Sequence, residues 1–250
     1  MSTDLTGRVC LVTGGGSGIG ASSARALARA GATVVLTSRD RERLDRVASE
    51  ITGAGGRADV VPCDLSGESA GGLVDETAGR HGRLDVLVHA AGNQVRKPTA
   101  EFTLADWDAV MEVHLRSGFV LAQAAVRHMT ARGSGALVFV GSMTSARLGH
   151  PSTVAYAAAK SGLLGLARTL AVEYAADGVR VNTVLPGFIA TDMAAQVTET
   201  PQRRALVSRI PQGRYGDPDE VGDVVAFLAG DDARYVTGET VTVDGGWSVA

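Results

Sequence analysis

The chain has 250 residues, of which 45% are hydrophobic, 20% charged and 4% aromatic, with a formal net charge of −3. That apolar content excludes a disordered chain, and only 7 prolines exclude a collagen-like repeat. The slightly acidic balance offers no global basic field, so nucleic acid is not an expected partner. Two cysteines, Cys10 and Cys63, cannot build a multi-bridge disulfide framework, and a reduced intracellular setting is expected. Met1–Arg8 lacks the charged-then-apolar order of a signal peptide, and no apolar run reaches the ~18 residues of a membrane span. The expectation is a soluble, cytoplasmic protein with no membrane partner.

Along the chain, short β-branched runs alternate with longer helical patterns. Val9–Thr13 reads as a buried strand, followed by a glycine-rich turn and a helix over Ile19–Ala30. A strand at Thr33–Thr37 leads to a helix at Arg41–Gly53, and one at Asp59–Pro62 to a helix at Ser69–His81. Next come a strand at Val86–Ala90, a long helical stretch over Leu104–Arg132 and a strand at Ala136–Val140. The helix expected over Val154–Asp177 carries one apolar stripe, Leu163, Leu166, Ala167 and Leu170. A strand at Val179–Leu185, a helix at Pro218–Leu228 and a strand at Thr240–Val243 complete the series.

Such alternation means parallel strands joined by crossover helices, and hence a sheet covered on both faces. The predicted fold is a single-domain α/β doubly wound parallel sheet, Rossmann-like, over residues 1–250. One segment breaks the rhythm. Phe188–Arg209 follows Pro186-Gly187 with helix-like spacing and no strand, and is expected to form a short substrate lid over about residues 188–210.

The first strand runs into Thr13-Gly14-Gly15-Gly16-Ser17-Gly18-Ile19-Gly20 and then a helix. A strand, a glycine turn and a helix N-terminus let backbone amides approach a pyrophosphate without interference from Cβ atoms. Gly14, Ser17, Gly18, Ile19 and Gly20 are therefore candidate dinucleotide contacts. At the end of the second strand, an acidic residue would bond the ribose hydroxyls of NAD; this chain has Ser38-Arg39. A guanidinium there suits the extra phosphate of NADP, so NADP(H) is preferred over NAD(H), with NAD(H) still possible. Arg43 and Arg46 read as the solvated face of the next helix. Asp64-Leu65, after the third strand, is placed to meet the adenine amino group.

Tyr156 and Lys160 stand four residues apart, one turn along the same helix face. A free tyrosine has a pKa near 10, and a neighbouring ammonium favours its phenolate. Lowering it by three units needs roughly 4 kcal/mol of differential interaction, expected from Lys160 together with an oxidised nicotinamide in a partly dry site.

At this point the chain resembles the short-chain dehydrogenase/reductase family over essentially its full length. The matching features are Thr13–Gly20, Asp64, Ala90-Ala91-Gly92, Ser142, Tyr156-x3-Lys160, Asn182-x3-Pro186-Gly187 and Val243-Asp244-Gly245-Gly246. The resemblance implies that Tyr156 exchanges a proton with the substrate oxygen while hydride moves to or from the nicotinamide. Ser142 would hydrogen-bond that oxygen, and Lys160 would bind the nicotinamide ribose and lower the Tyr156 pKa. Ala91, Gly92, Pro186, Gly187, Ile189 and Thr191 would flank the cofactor, Thr191 reaching the carboxamide.

Three positions depart from the family pattern. The first Asn of its N-x-A-G turn is His89 here, which alters a structural hydrogen bond. The position of a fourth catalytic residue, usually Asn, is His114. The resemblance implies that the backbone carbonyl there holds a relay water, and a histidine would add a titration near pH 6.5. Ser142 precedes Tyr156 by fourteen residues, one more than is commonest, and Ser145 is a rival for its role. His81, His128 and His150 have no metal-ligand spacing, and no metal is expected.

The loop Gly92–Pro98, with Gly141–Ser145, resembles the branch containing gluconate 5-dehydrogenase and other sugar-acid oxidoreductases. Arg96 or Lys97 would pair with a carboxylate, while Gln94, Asn93 and Thr144 would hydrogen-bond hydroxyls. A 3-oxoacyl-thioester (acyl-carrier-protein) reductase is the nearest rival. A non-catalytic dinucleotide-sensing module is a rival of another class. The resemblance also implies a homotetramer, pairing the Leu104–Arg132 and Val154–Asp177 helices between subunits, with Trp247–Ala250 near another interface.

Overall fold

Each central strand sends alternate side chains to opposite faces of the sheet, and both sets are dry. In β1 (Val9–Thr13), Cys10 and Val12 join one core while Val9 and Leu11 join the other. In β5 (Gly135–Val140), Ala136, Val138 and Val140 face the first core, Leu137 and Phe139 the second. A strand buried on both faces needs a near-continuous apolar run, which is why these segments do not alternate with polar residues.

The computed structural model describes residues 3–67, 69–146, 148–191 and 201–250, and the backbone only of 69 and 201–203. With β2 (Thr33–Thr37), β3 (Arg57–Val60), β4 (Val86–His89), β6 (Val179–Pro186) and β7 (Thr240–Val243), the strands lie in the order β3-β2-β1-β4-β5-β6-β7. All neighbouring pairs are parallel. On the first face pack α1 (Gly18–Arg29), α2 (Arg41–Gly53) and α8 (Pro218–Ala229). On the second lie α3 (Ser69–His81), α5 (Ser117–Thr130) and α6 (Val154–Tyr174). This is the predicted single-domain, doubly wound α/β sheet of Rossmann type. Neither cysteine forms a disulfide, and burial pushes the Cys10 thiol pKa up.

Several boundaries differ from the sequence reading, and two strands show why. The third strand is Arg57–Val60 rather than Asp59–Pro62, in register with Thr33–Leu36. Val61 N–H still bonds Leu36 O, but Pro62 has no N–H to continue the ladder. The fourth strand stops at His89 because the Ala90 and Ala91 amides turn to the Thr13 hydroxyl.

The long stretch from Leu104 is not one helix. It divides into α4 (Leu104–Met111), a π-turn (Glu112–Arg116) and α5. A π-turn breaks the regular ladder and frees a carbonyl for a partner outside the helix. Here that carbonyl is His114 O, which accepts from His89 Nε2 at 2.9 Å. A further helix, α7 (Pro201–Val207), lies within the expected lid segment, whose residues 192–200 are outside those described.

Candidate active site

Chain order reverses between β1 and β4, so the connections leaving their carboxyl ends diverge and open a crevice. Two cavities occupy it, of about 490 and 340 Å³, and Gly14, Ser17, Gly92 and Asn93 border both. The larger holds the Tyr156–Lys160 end and the smaller lies beside β2.

The glycine turn is shaped by close approach. Gly14 has φ +68°, and a Cβ there would stand 2.9 Å from the Ala91 backbone. A Cβ on Gly20 would collide with the Gly14 carbonyl. Ser17 is the N-cap of α1 but its side chain makes no capping bond, so the first-turn amides stay open to the cavity. This cradle fits a dinucleotide pyrophosphate at a helix N-terminus.

The smaller cavity gathers Arg39, Asp64, Leu65 and Ala91. Arg39 is exposed and has no hydrogen bond or ion pair among the described residues. Its charge helps hold Asp64 below the usual carboxylate range, behind the larger effect of the Ser66 amide donating to that carboxylate. Sequence reasoning placed Arg43 on a solvated face, yet Arg43 borders this cavity while pairing with Asp40 at 3.0 Å. Asp40 caps α2 by accepting from Arg43 N–H, which folds the arginine back along the helix start.

In the larger cavity, Tyr156 and Lys160 project from α6 toward the end of β5. Lys160 is 3% exposed, and its Nζ donates to Val140 O at 2.6 Å. Ser161 Oγ donates to Ser145 O at 2.9 Å, tying the turn after β5 to the same helix. Ser142 Oγ accepts from Thr144 N–H and Thr144 Oγ1–H at 3.3 and 3.0 Å. With both lone pairs engaged, its own proton is left to donate, and it bonds the Tyr156 hydroxyl. Ser145 is buried and accepts from Ser142 N–H, so of the two serines Ser142 is the one that borders the cleft.

The electrostatics depart from the expected pattern. The Tyr156 pKa is raised, because burial outweighs the opposing Ser142 hydrogen bond and the Arg96 charge. Burial also drags Lys160 down to about 7. In the chain alone, then, Lys160 does not make Tyr156 a stronger acid; the desolvation it shares with the phenol dominates. His114 was expected to titrate near pH 6.5. Instead burial, and secondarily the Lys160 charge, carry its pKa down to about 2, and it stays neutral. Its carbonyl accepts from His89 Nε2, which engages one of its two lone pairs.

The expected substrate residues separate. Arg96 borders the cleft, and among the described residues no carboxylate pairs with it. Lys97 does not; its Nζ is held by Asp106 at 2.7 Å. Gln94 lies behind Arg96, accepting from its Nε at 2.9 Å, and Thr144 lies behind Ser142. Neither borders the cleft; from their present positions they hydrogen-bond Arg96 and Ser142, which do.

Of the cofactor residues, Pro186, Gly187, Ile189 and Thr191 line the larger cavity. Phe188, His150, Leu206 and Tyr215 join them there without having been foreseen. Phe188 was readable as the residue after Pro186-Gly187. Tyr215 had no such signal: Gly216 N–H bonds Phe188 O at 2.9 Å, and that bridge stacks the two rings 6.0 Å apart. Trp247 packs edge-on to Phe188 within the same chain, with Arg209 over its ring.

Comparison with known proteins agrees with this architecture. A family model described as Enoyl-(Acyl carrier protein) reductase matches residues 14–248. Cis-4-hydroxycyclohexanecarboxylate dehydrogenase of Sinomonas cyclohexanicum is 42% identical over 243 residues, covering 96% of each chain. The 3-oxoacyl-[acyl-carrier-protein] reductase of Thermotoga maritima is 39% identical, over 97% of this chain and 98% of that one. The crystal structure of a gluconate 5-dehydrogenase from Burkholderia cenocepacia J2315, in complex with NADP and tartrate, matches with a TM-score of 0.93. That likeness is 36% in sequence and covers 99% of this chain and 97% of the other. Kinship over the whole length, on one fold and around one cleft, makes the assignment: the chain belongs to the short-chain dehydrogenase/reductase family of oxidoreductases.

Proposed function

We propose that this oxidoreductase interconverts a secondary alcohol and a ketone on a small hydroxy acid of the gluconate type, with NADP(H) preferred and NAD(H) possible. The observation that carries the reading is one cleft holding Ser142, Tyr156 and Lys160 near an Arg96 that has no carboxylate partner among the described residues. A guanidinium facing a cleft without an acid to pair with is suited to a carboxylate substrate. The gluconate 5-dehydrogenase relative supports the same class.

Bound nicotinamide would supply or take up the hydride. Tyr156 gives its phenolic proton to the carbonyl oxygen in reduction and recovers it in oxidation. Ser142 donates a hydrogen bond to that oxygen and fixes it opposite the phenol. Lys160 would hold the ribose hydroxyls of a bound dinucleotide, and in its ammonium form would stabilise the tyrosinate left behind. Gln94 and Thr144 orient Arg96 and Ser142.

Two predictions follow from the charged groups. Arg39→Asp should lower the NADP-to-NAD preference ratio by about 100-fold, since it exchanges a charge-assisted bond for a repulsion. Initial rates with both cofactors check it, and an unchanged ratio places the 2′-phosphate away from Arg39. Arg96→Gln should raise KM for a carboxylate substrate ~10–100-fold and spare a neutral ketone. Equal losses on both would remove Arg96 from carboxylate binding.

A second reading, 3-oxoacyl-thioester reduction, is favoured by the full-length Thermotoga relative. Rates with 5-keto-gluconate against an acetoacetyl thioester separate the two, and turnover of either removes a non-catalytic sensing role. We also propose a cytoplasmic homotetramer. Leu104, Phe119 and Val172 leave apolar surface on α4, α5 and α6, and Phe227, Tyr235 and Val249 do so near the C-terminus. Sedimentation equilibrium should give a four-chain mass; a monomer mass would contradict it.

A further inference from the structure

The substrate end of the cleft is rich in proton donors and short of acceptors. Arg96 offers donors alone, Ser142 donates to the Tyr156 hydroxyl, and Tyr156 carries a proton when a ketone is to be reduced. Among the described residues no aspartate or glutamate lines this cavity. Such a set satisfies a carboxylate and a carbonyl, which only accept. A substrate hydroxyl must also donate, and it needs an acceptor that these side chains do not provide.

His150 provides one. It is exposed, and it borders the cavity although neither chain neighbour, Gly149 or Pro151, does, so its side chain is what reaches the cleft. Its Nδ1 lies 2.8 Å from Pro151 O. A carbonyl oxygen only accepts, so Nδ1 carries the proton, and Nε2 of the neutral ring is an acceptor. Nε2 has no partner among the described residues. With Nδ1 turned to the chain, Nε2 is the ring atom left for a ligand.

The turn that enters α6 restrains this residue. Pro151 fixes its own φ, and Ser152 follows with φ +64°, in the left-handed region that glycine favours. The buried Thr153 closes the turn, its Oγ1 donating to His150 O at 2.8 Å. The connection that leaves β5 at Ser142 thus returns to the cleft at His150 before α6 brings in Tyr156.

We propose that His150 is a specificity-determining residue whose Nε2 accepts a hydrogen bond from a substrate hydroxyl, selecting polyhydroxylated keto acids over plain ones. Arg96 takes the carboxylate, Ser142 and Tyr156 the reacting carbonyl, and His150 a hydroxyl elsewhere on the carbon chain. This rests on the hydroxy-acid reading above and narrows it to polyhydroxylated acids.

The test compares 5-keto-gluconate with 5-oxohexanoate, which has the same carboxylate-to-carbonyl spacing and no hydroxyls. The wild-type ratio of kcat/KM should favour 5-keto-gluconate at least ~10-fold, because a site built to bond a hydroxyl rejects the analogue lacking it. His150→Asn keeps a donor toward Pro151 O and has no atom at the Nε2 position; it should lower that ratio about 5–10-fold. His150→Gln gives up the Pro151 bond but reaches the Nε2 position with a carboxamide that can accept; it should keep the ratio within about twofold. NADPH binding, followed by fluorescence, reports that each variant is folded. A wild-type ratio near one, an unchanged ratio in His150→Asn, or an equal loss in both variants overturns the proposal and leaves the hydroxy-acid reading standing. Turnover of neither acid by the wild type with NADPH bound overturns that reading and this proposal with it.

Discussion

Tyr156→Phe is expected to lower kcat at least ~10³-fold while leaving NADP(H) affinity within a few-fold. The substitution removes one oxygen from a half-buried ring and keeps its packing, so the loss isolates the proton that Tyr156 moves. The pH dependence adds a sign. Burial holds the Tyr156 pKa above its ordinary value, so the phenol is protonated throughout the neutral range. Ketone reduction uses the protonated phenol together with the Lys160 ammonium, so it should be fastest below about 7 and decline as Lys160 loses its proton. Alcohol oxidation uses the phenolate and should rise about tenfold per unit of pH on the acid side of the Tyr156 pKa. Progress curves in both directions check this; parallel profiles would separate Tyr156 from the proton transfer.

Lys160→Met should abolish useful turnover and at the same time stabilise the fold. The side chain is buried, and its pKa has fallen from the ordinary 10.5 to about 7. Between those values the unfolded chain binds a proton that the folded chain does not hold fully. Stability therefore rises with pH across this window, and the penalty is largest below about 7, where folding must bury the ammonium. Methionine fills the volume without the charge, at the loss of one hydrogen bond to Val140 O. A net gain of even ~1 kcal/mol raises Tm by about 2–4 °C for a chain of this size. Melting curves of both proteins should differ most near pH 6 and converge toward pH 10. A destabilised variant at pH 6 would show that the Val140 bond outweighs the burial of charge.

Much of the scaffold is local information. The strands around β1 and β5 are apolar on both faces, and Tyr156 and Lys160 share a helix face by their spacing alone. Gly14 and Gly20 were recognisable because side chains there would collide with backbone. What escaped the sequence depended on partners far along the chain. The π-turn at Glu112–Arg116 needs His89, twenty-five residues earlier, to take the freed carbonyl. Lys97 leaves Arg96 alone in the cleft only because Asp106, at the third position of α4, accepts from it. Tyr215 enters through a single bridge between Ile189 and Gly216. The His114 titration was misjudged because residue type fixes the ordinary pKa, whereas burial set by tertiary packing decides the shift.

The most direct test of the central claim is the initial rate of NADPH oxidation with 5-keto-gluconate, measured beside an acetoacetyl thioester at equal concentration. The account predicts turnover of the keto acid that disappears in Tyr156→Phe, with the thioester at least 10-fold slower in kcat/KM. Turnover of the thioester alone would contradict the hydroxy-acid assignment and make acyl-thioester reduction the function of this cleft.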